Sequence, residues 1–455
     1  MDALVKKSEN LHGIVKVPGS KSYTHRVIAA AALDDFTLIK NPSNSDANNA
    51  MIAACRKLGA DIQKKGGHLE VTGFKNHPRT PNNEIHVGNS GTALRLSIAL
   101  ASLAGGHIKI DGDASLRNRP TKPLLDALRS LCVDILGERR LDSNGKENEY
   151  APIEINASAI NAGKIFVDGT ESSQYLSSLL LVAPFAKSDV KIEVTGEIVS
   201  KPYIRMTLEV MRRFGIKVDV TDHRHYHIKT GQKYVSPPVY EIPGDYSQAA
   251  FFLAAACLVK SDVTVQGLSK DDEQGDRQIV TILRKMGAKI EETKDGYRVK
   301  GPFSLKAIDV DLIDSPDLFP VLAVLGIYAE GKMKLHNMPQ IRTKETDRIA
   351  VIEREFKKYG IKVESDKREM TVYHTDLPEQ EYIFNADGGK GVTDHRIAMA
   401  FSLIGIHSGC AIIKEANSVR FSYPEYFDHL HQIGVETEVT NNKTTENTVA
   451  QRLAM

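Results

Sequence analysis

The sequence of 455 residues predicts an α/β protein built from six repeated units of about 73 residues each. Three observations support this fold class. One motif recurs six times, amphipathic helical segments precede its four clear copies, and six polar loops open strongly apolar helical runs. A chain of this length can bury more than one hydrophobic core.

The recurring motif is an apolar residue and a glycine, followed by a short run in which aliphatic residues alternate. Four copies read LGADI, FGIKV, MGAKI and YGIKV, and two weaker copies read LCVDI and IGVET. Their second residues, which lie 73, 83, 72, 73 and 74 positions apart, are Gly59, Cys132, Gly215, Gly287, Gly360 and Gly434. Glycine just after a helix typically adopts a left-handed conformation, and the alternation is typical of a strand. Unrelated helix ends share this local pattern, but the regular spacing favours a repeat.

Short loops rich in Gly, Ser, Thr, Asn and Pro precede the most apolar segments of the chain. The segments read PGSKSYTHRVIAAAAL, GNSGTALRLSIALA, GTESSQYLSSLLLVA, GDYSQAAFFLAAACL, DSPDLFPVLAVLGIYA and TDHRIAMAFSLIGI. Because they are apolar nearly all round, we expect them to be core helices. Ser, Thr, Asn and Asp at their starts are typical helix caps. The N-termini of these helices are therefore expected to gather near the middle of the molecule.

Composition excludes several classes of function. The chain has 59 Lys and Arg against 58 Asp and Glu, so no basic field indicates nucleic acid or an acidic membrane as a partner. The longest apolar run, residues 249–259, is shorter than the roughly 20 residues that span a bilayer. The N-terminal residues lack the apolar stretch of a secretion signal, and the four cysteines form no CxxC pair. These features predict a cytoplasmic protein without disulfides or a zinc site.

Several predicted first helical turns carry cations, although the helix dipole favours acidic residues at this position. They are Lys21, Arg26, Arg95, Lys344, Arg348 and Arg396. A bound anion would reverse the unfavourable sign, because the helix N–H groups and the cations would then act together. We therefore predict a polyanionic ligand. The alternative is that these side chains simply extend into solvent.

Residue spacing strengthens the case in two of these segments. Ser22 and Arg26 are i,i+4 neighbours and share one helix face. Glu345 lies between Lys344 and Arg348, so it would stay ionised, or shuttle a proton when a substrate displaces one partner. The alternative interpretation of KETDR is a solvated charged turn.

The sequence lacks the common motifs of nucleotide-binding proteins, metalloproteases and serine hydrolases. The sequence has no Walker loop, no GxGxxG dinucleotide motif, no HExxH and no GxSxG nucleophile motif. The alternating His223, His225 and His227 would share one face if they lay on a strand, and could then bind zinc. Because their surroundings are polar, a solvated strand face is the favoured interpretation.

Nine segments, in this order, resemble the 5-enolpyruvylshikimate-3-phosphate (EPSP) synthase family. They are PGSKSYTHR, GNSGTALR, LRNRP, GTESSQYL, SKPYI, PGDYSQAA, SPDLFPVLA, RTKETDR and DHRIAMAFSL. The resemblance runs from about Gly13 to Gly434. The combination of GSKS, KETDR and DHR is specific, whereas each alone would be weak.

The resemblance implies a two-lobed inside-out α/β fold, with three repeated units in each lobe and helices in the lobe cores. The first lobe would comprise residues 20–239, and the second would combine residues 1–19 with 240–455. The active site would lie in the cleft between them, and the lobes would close on the substrates.

The family transfers the enolpyruvyl group of phosphoenolpyruvate to the 5-hydroxyl of shikimate 3-phosphate by addition and elimination, releasing phosphate. The resemblance implies these two small-molecule substrates, no metal or organic cofactor, and no nucleic-acid or membrane partner. A monomer is expected. The substrates together bring roughly −5 to −6 charges, which six implied cations would offset.

The resemblance also implies roles for individual residues. Asp317 would accept the 5-hydroxyl proton, and Glu345 would protonate C3 of phosphoenolpyruvate and later take a proton from that methyl group. Lys344 would orient the hydroxyl and, with Lys21, complete the catalytic set. The residues implied for shikimate 3-phosphate are Lys21, Ser22, Arg26, Ser172, Ser173, Gln174, Ser200, Tyr203, Asp317, Gln340 and Lys344. Those implied for phosphoenolpyruvate are Lys21, Gly91, Arg119, Arg348 and Arg396.

Some of these residues have an ordinary structural alternative. Asp317 alone could be a helix N-cap, and Ser172, Ser173 and Gln174 could be helix-start residues. The segment from Ser200 to Tyr203 could be only a helix entry with proline in its first turn. Arg95 is expected to support the site without contacting substrate.

One position departs from the family pattern. Phe421 stands where a lysine that contacts phosphoenolpyruvate is usual. Arg420 is adjacent, but on a strand it would point to the opposite face. We therefore expect weaker binding of phosphoenolpyruvate than is typical of the family.

Two other functions remain open from the sequence. The first is the related transferase that acts on UDP-N-acetylglucosamine, which usually has a cysteine in the loop before the position of Arg119; GDASLRNRP has none. The second is a non-catalytic anion-binding relative. Against it, Asp317 and Glu345 are both present, and pure anion binding gains nothing from added carboxylates.

Overall fold

The computed structural model describes residues 1–75, 77–142, 145–157, 160–389 and 391–440. Its strands in chain order are β1 Asp2–Lys6, β2 Leu11–Lys16, β3 Phe36–Lys40, β4 Asp61–Lys65, β5 His68–Thr72, β6 Ile85–His86, β7 Gly106–Asp111, β8 Asp134–Leu141, β9 Glu147–Ala157, β10 Gly163–Asp168, β11 Val190–Thr195, β12 Asp219–Thr221, β13 His225–Ile228, β14 Val239–Glu241, β15 Ser261–Gln266, β16 Ile290–Thr293, β17 Gly296–Val299, β18 Asp309–Asp311, β19 Lys332–His336, β20 Val363–Ser365, β21 Met370–Tyr373, β22 Gln380–Asn385, β23 Gly409–Lys414 and β24 Thr437–Thr440. Its α-helices are α1 Lys21–Ala32, α2 Asp46–Lys57, α3 Gly91–Ala101, α4 Lys122–Ser130, α5 Ser173–Val182, α6 Lys201–Arg213, α7 Tyr246–Leu258, α8 Gln278–Lys285, α9 Phe319–Tyr328, α10 Arg348–Lys357, α11 His395–Ser408 and α12 Tyr426–Gln432.

The predicted sixfold repeat is confirmed by the sheets. Within the described ranges the strands form six four-stranded sheets, each with one parallel pair followed by two antiparallel pairs. In β10-β11-β13-β12, for example, β10 runs parallel to β11, and β13 runs antiparallel to both β11 and β12. The N-terminal β1 completes the last sheet by pairing with β23 and β24. One supersecondary unit has therefore been used six times.

The recurring motif ends a helix in every copy. Its second residue has a positive φ at all six positions, from 62° at Cys132 to 111° at Gly59. These residues follow the even-numbered helices α2 to α12, and most of them lead toward a strand. The left-handed backbone, which glycine adopts without steric cost, turns the chain out of the helix. Cys132 adopts the same conformation without being glycine.

The odd-numbered helices form the cores, as their all-round apolar sequences predict. Every residue of α7 is buried, and α11 has one residue that is not fully buried, His407. The even-numbered helices are amphipathic and bury one face. Side-chain caps open five of the odd helices, from Ser20, Ser90, Ser172, Asp245 and Asp394. The exception is α9, which follows a one-turn 3-10 helix, Pro316–Leu318.

The described chain divides into two compact units. We call the first the central unit, which comprises Gly19–Pro243 with Glu273–Gly275. We call the second the terminal unit, which comprises Met1–Pro18, Gly244–Asp272 and the chain from Asp276 onward. Each unit has its own hydrophobic core. In the described part of the chain, no helix has the length and apolar character needed to cross a membrane.

The strand β24, Thr437–Thr440, lies at the edge of the sheet β22-β23-β1-β24. Residues 441–455 lie outside the described residues.

Candidate active site

A buried arginine lies at the centre of an ion-pair network in the terminal unit. The side chain of Arg348, the first residue of α10, is 1% exposed. Its Nε atom lies 2.8 Å from Asp394 Oδ2, Nη1 lies 2.8 Å from Asp317 Oδ1, and Nη2 lies 2.8 Å from Glu345 Oε2. Three carboxylates from three segments of the chain therefore converge on one guanidinium.

Asp317 is shared by further cations. Arg396 Nη2 lies 3.0 Å from Asp317 Oδ2, and Lys344 Nζ lies 3.7 Å from Asp317 Oδ1. Asp317 lies in the 3-10 helix that precedes α9. The N-cap of α9 is the next residue, Leu318. The helix-cap interpretation of Asp317 is therefore wrong. A carboxylate held by several cations stays ionised, and it becomes a better proton acceptor when a substrate anion takes over those cations.

Glu345 and Arg348 are not part of a solvated charged turn. The Glu345 side chain is 11% exposed and pairs with Arg348 at i,i+3, as the spacing suggested. Lys344 is 27% exposed, which keeps its ammonium group accessible. Asp347, three residues after Lys344, caps α10 by accepting a hydrogen bond from Ala350 N at 3.0 Å. The cap fixes the start of the helix and thereby helps to position Lys344, Glu345 and Arg348.

Electrostatics keep Arg348 charged. Burial acts to lower the pKa of Arg348, but Asp394, Glu345 and Asp317 together raise it well above its usual value. The sequence did not single out Asp394, although an aspartate directly before a predicted helix is a recognisable cap. Asp394 does cap α11, with Oδ1 accepting from Arg396 N at 2.9 Å, while Oδ2 binds Arg348.

The central unit holds its buried arginine in a different way. Arg26 is 1% exposed, and its hydrogen bonds in the described structure go to two hydroxyls and a backbone carbonyl. Nε donates to Thr207 Oγ1 at 2.8 Å and Nη1 donates to Ser22 O at 2.9 Å. Burial lowers the pKa of Arg26 to about 10, and Tyr203 and Tyr23 act weakly in the opposite direction. A buried cation held by neutral groups retains its positive charge for a ligand.

The neighbours of Arg26 include residues that the resemblance implies for shikimate 3-phosphate. The guanidinium lies 5.8 Å from the ring centre of Tyr203. Ser200 is 5% exposed and opens α6 in the left-handed conformation, with φ of 57°. Proline occupies the first turn of α6, so the segment does form the helix entry that its sequence suggested. This structural role is compatible with a role in binding.

The start of α3 lies against two further arginines. A Cβ atom on Gly91 would lie 2.9 Å from Arg95 Nη1 and 3.2 Å from Arg119 Nη1. Arg119 Nη2 donates to Asn89 Oδ1 at 2.6 Å. Glycine therefore lets two guanidinium groups approach the backbone at a helix N-terminus, where partial positive charge is also concentrated.

Gln174 links two helix starts of the central unit. Its Oε1 accepts from Arg95 Nη1 at 2.6 Å, and its Nε2 donates to Thr92 Oγ1 at 2.9 Å. Ser172 caps α5 through Gln174 N at 3.2 Å, as expected of a helix-start residue. Ser173 is 6% exposed. Within this unit, the N-termini of α3 and α5 thus gather as the sequence predicted.

The starts of α1, α2 and α3 are joined by a buried histidine that sequence reasoning missed. His25 Nδ1 lies 2.8 Å from Lys21 O, and Nε2 lies 3.1 Å from Ala47 O and 3.3 Å from Ser90 Oγ. Burial, opposed by the hydrogen bond to Lys21, lowers the pKa of His25 to about 3. The segment KSYTH gave no signal for the contacts with Ala47 and Ser90, because these residues are distant along the chain.

Gln340 directly precedes the 3-10 helix Ile341–Thr343, which leads to Lys344. It is 4% exposed, and its Nε2 donates to the backbone oxygen of Ile313 at 3.3 Å. Ile313 lies four residues before Asp317, so the contact links the two loops.

The expectation that Arg420 and Phe421 lie on a strand is wrong. Both residues lie in a 3-10 helix, Ala416–Phe421, and not on a strand. Arg420 is exposed, whereas the half-buried Phe421 ring lies 5.3 Å from the ring of His395, at an angle of 53°. His395 directly precedes Arg396. Phe421 therefore places an apolar ring, and no cation, against the start of α11.

The three alternating histidines do not share a strand. His223 lies in the turn before β13 with φ of 56°, while His225 and His227 lie on β13. His225 Nδ1 lies 3.0 Å from Asp222 Oδ1, and His227 Nε2 lies 2.9 Å from Asp189 Oδ2. Among the residues described, no group of three or more His, Cys, Asp or Glu side chains is placed to hold a metal ion.

Comparison with known proteins decides the family. The family model described as EPSP synthase (3-phosphoshikimate 1-carboxyvinyltransferase) matches residues 5–430. The chain belongs to the EPSP synthase family. Relatives named 3-phosphoshikimate 1-carboxyvinyltransferase include one from Methanococcus maripaludis (strain C6), 36% identical over 444 residues. Another, from Methanocaldococcus jannaschii, is 38% identical over 450 residues. The matched segments cover 96% of this chain and 99% of each relative.

A solved structure shares the fold. EPSP synthase from Acinetobacter baumannii matches with a TM-score of 0.78 at 24% identity, covering 96% of this chain and 100% of that chain. Together with the six repeated sheets, this likeness confirms the fold class that the sequence predicted.

Proposed function

We propose that the chain transfers the enolpyruvyl group of phosphoenolpyruvate to the 5-hydroxyl of shikimate 3-phosphate, releasing phosphate. The observation that carries the proposal is the sharing of Arg348 by Asp317 and Glu345, both at 2.8 Å. Two acid–base groups are thereby held on one rigid cation at a helix start. An addition–elimination needs one such group for the hydroxyl and one for the vinyl carbon.

The proposed chemistry uses these two carboxyl groups in sequence. Asp317 takes the proton of the 5-hydroxyl, and Glu345 in its protonated form gives a proton to C3 of phosphoenolpyruvate. The hydroxyl oxygen then bonds to C2, which gives a tetrahedral adduct. Glu345 next removes a proton from the new methyl group while the C2–O bond to phosphate breaks, and the double bond re-forms. Lys344, 3.7 Å from Asp317, stabilises negative charge on the attacking oxygen.

We assign the polar and charged residues of the site to the two substrates. We propose that Lys21, Ser22, Arg26, Ser172, Ser173, Gln174, Ser200, Tyr203 and Gln340 bind shikimate 3-phosphate together with Asp317 and Lys344. We propose that Lys21, Gly91, Arg119, Arg348 and Arg396 bind phosphoenolpyruvate. Arg26 supports this division most directly, because it is buried and hydrogen-bonded to neutral groups. Under this proposal, loss of either Arg119 or Arg396 should weaken binding of phosphoenolpyruvate.

Phosphate release from the two substrates tests the function. The wild-type chain should turn over, and Glu345→Gln should lose at least about 100-fold in kcat, as expected for loss of a general acid–base group. Glu353→Gln is the matched control, because Glu353 is an exposed glutamate on the adjoining helix α10. Equal rates for Glu345→Gln and wild type would overturn the acid–base assignment.

Two further arms separate the alternatives. UDP-N-acetylglucosamine replaces shikimate 3-phosphate in one arm, and turnover there alone would favour the related transferase. Calorimetric titration of shikimate 3-phosphate, with and without phosphoenolpyruvate, forms the other arm. Binding of both ligands without turnover would indicate the non-catalytic relative. We also propose a cytoplasmic monomer, which light scattering of the purified chain and fractionation of the source cells would test.

A further inference from the structure

Asp276 is a buried carboxyl group that the proposed chemistry does not use, and it packs against the start of α7. Asp276 is 2% exposed and lies in a one-turn 3-10 helix, Gly275–Arg277. Its Oδ2 accepts a hydrogen bond from Ser247 Oγ. Its Oδ1 is buried and has no hydrogen-bond partner among the described residues. Leaving a carboxyl oxygen buried and unsatisfied is costly, which points to a role beyond packing.

The surrounding structure fixes this carboxyl group relative to Asp317. Asp245 caps α7 and accepts from Ser247 N at 2.9 Å, so the serine that holds Asp276 is itself held. On the other side, Gln278 Nε2 donates to Ser315 Oγ. Gln278 follows Asp276 by two residues and Ser315 precedes Asp317 by two. The segments that carry the two carboxyl groups are therefore tied together.

Three charged groups face Asp276 from the elements around it. They are Asp317 from the 3-10 helix before α9, Arg396 from α11, and Asp245 from the cap of α7. Burial is the main cause that raises the pKa of Asp276, to about 7, and the charges of Asp317 and Asp245 act in the same direction. Arg396 and the hydrogen bond from Ser247 lower it. Asp276 is therefore harder to ionise than an exposed aspartate, and the charges of Asp317 and Arg396 both act on it.

We propose that Asp276 is a positioning residue whose charge tunes the ion pair between Asp317 and Arg396, and through it the affinity for phosphoenolpyruvate. The inference rests on the proposed function. When Asp276 is ionised, it attracts Arg396 and repels an incoming anion. When it is protonated, it does neither, and more of the positive charge of Arg396 is available to the substrate.

The pH dependence of binding tests this role. KM for phosphoenolpyruvate is measured from pH 6 to pH 8.5 for wild type and Asp276→Asn, which is neutral throughout. The two proteins should agree at pH 6, and wild type should have the higher KM at pH 8.5, by about fivefold or more. The ionisation of phosphoenolpyruvate itself affects both proteins equally, so the ratio of their KM values isolates Asp276. The kcat values should differ less than the KM values.

Two companion variants sharpen the test. Asp262→Asn removes an exposed carboxylate of the same unit that pairs with Arg298, and it should follow wild type at every pH. Ser247→Ala removes the hydrogen bond that lowers the pKa of Asp276, so the pH at which KM rises should move upward. Ser247→Ala keeps the carboxyl group of Asp276. It therefore tests the role of Asp276 in the pH dependence of KM even if Asp276→Asn does not fold.

The outcomes separate this proposal from the proposed function. A KM ratio that stays within about twofold across the pH range, or an unmoved midpoint in Ser247→Ala, would overturn the role of Asp276 while turnover remains. Absence of turnover in wild type would overturn the proposed function instead. The same pH series is then run as calorimetric titration with phosphoenolpyruvate alone, and a pH-independent ratio of dissociation constants again rejects the role of Asp276.

Discussion

Replacing Arg26 by methionine should make the ligand-free protein more stable and the enzyme inactive. The guanidinium is fully buried, and burial lowers its pKa from 12.5 to about 10. That difference corresponds to about 3 kcal/mol by which the fold disfavours the charge. Methionine replaces the aliphatic stem of arginine and carries no charge, so Arg26→Met removes this cost.

The loss of hydrogen bonds reduces the gain but should not cancel it. Three bonds from Arg26 disappear, to Thr207, Ser22 and Ser177, and the last is long at 3.4 Å. Thr207 Oγ1 keeps its contact with Ser177 Oγ at 2.8 Å, so neither hydroxyl is left alone. At about 1 kcal/mol for each good bond, we expect a net stabilisation of about 1 kcal/mol. Binding of shikimate 3-phosphate should weaken by at least about 100-fold, because a charge-assisted contact to phosphate is lost.

Urea unfolding and calorimetric titration measure the two effects on the same preparations. The folded-state pKa of Arg26 lies near 10, so the group is charged throughout the neutral range and the stability gain should be equal at pH 6 and pH 8. Arg213→Met, at a half-exposed arginine of the same unit, is the control and should change neither quantity appreciably. A destabilisation of Arg26→Met by more than about 1 kcal/mol would show that the buried charge is compensated in the free protein, and would refute the reasoning.

Three further predictions follow from the same geometry. Arg348→Met should destabilise the chain by about 3–5 kcal/mol in thermal or urea unfolding, because Asp317, Glu345 and Asp394 each lose a buried ion pair; a loss below about 1 kcal/mol would contradict the network. Gly91→Ala should raise KM for phosphoenolpyruvate about tenfold or more with a stability loss below about 1 kcal/mol, since the added methyl group meets only the ends of flexible arginines. The pKa of His25 is lowered to about 3, so the folded state resists its protonation and its neutral form contributes stability that is lost as pH falls below about 6.5. Between pH 7 and pH 5, the free energy of unfolding should therefore fall by about 2 kcal/mol less in His25→Gln than in wild type. Equal decreases in urea unfolding would contradict the lowered pKa of His25.

The repeat, the helix ends and the burial of whole helices could be predicted from the amino-acid sequence. Gly59 and its five counterparts were recognisable because a left-handed residue after a helix is a local requirement of the backbone. The helices α7 and α11 were recognisable as core elements because every face of each is apolar. The spacing of Glu345 and Arg348 also suggested the pair that forms, although Glu345 lies in the bend before α10 and not in its first turn.

How each buried charge is compensated could not be predicted, because it depends on contacts between distant parts of the chain. Arg348 and Arg26 look alike in the sequence, yet Arg348 is held by three carboxylates and Arg26 by hydroxyls and a carbonyl. Asp394 lies 46 residues from Arg348, and Thr207 lies 181 residues from Arg26. The same limit explains the error at Phe421, whose helical segment and contact with His395 could not be inferred from its neighbours. Local patterns record what the backbone needs over a few residues, whereas the electrostatic state of a buried group depends on atoms that only the folded chain brings within a few ångströms.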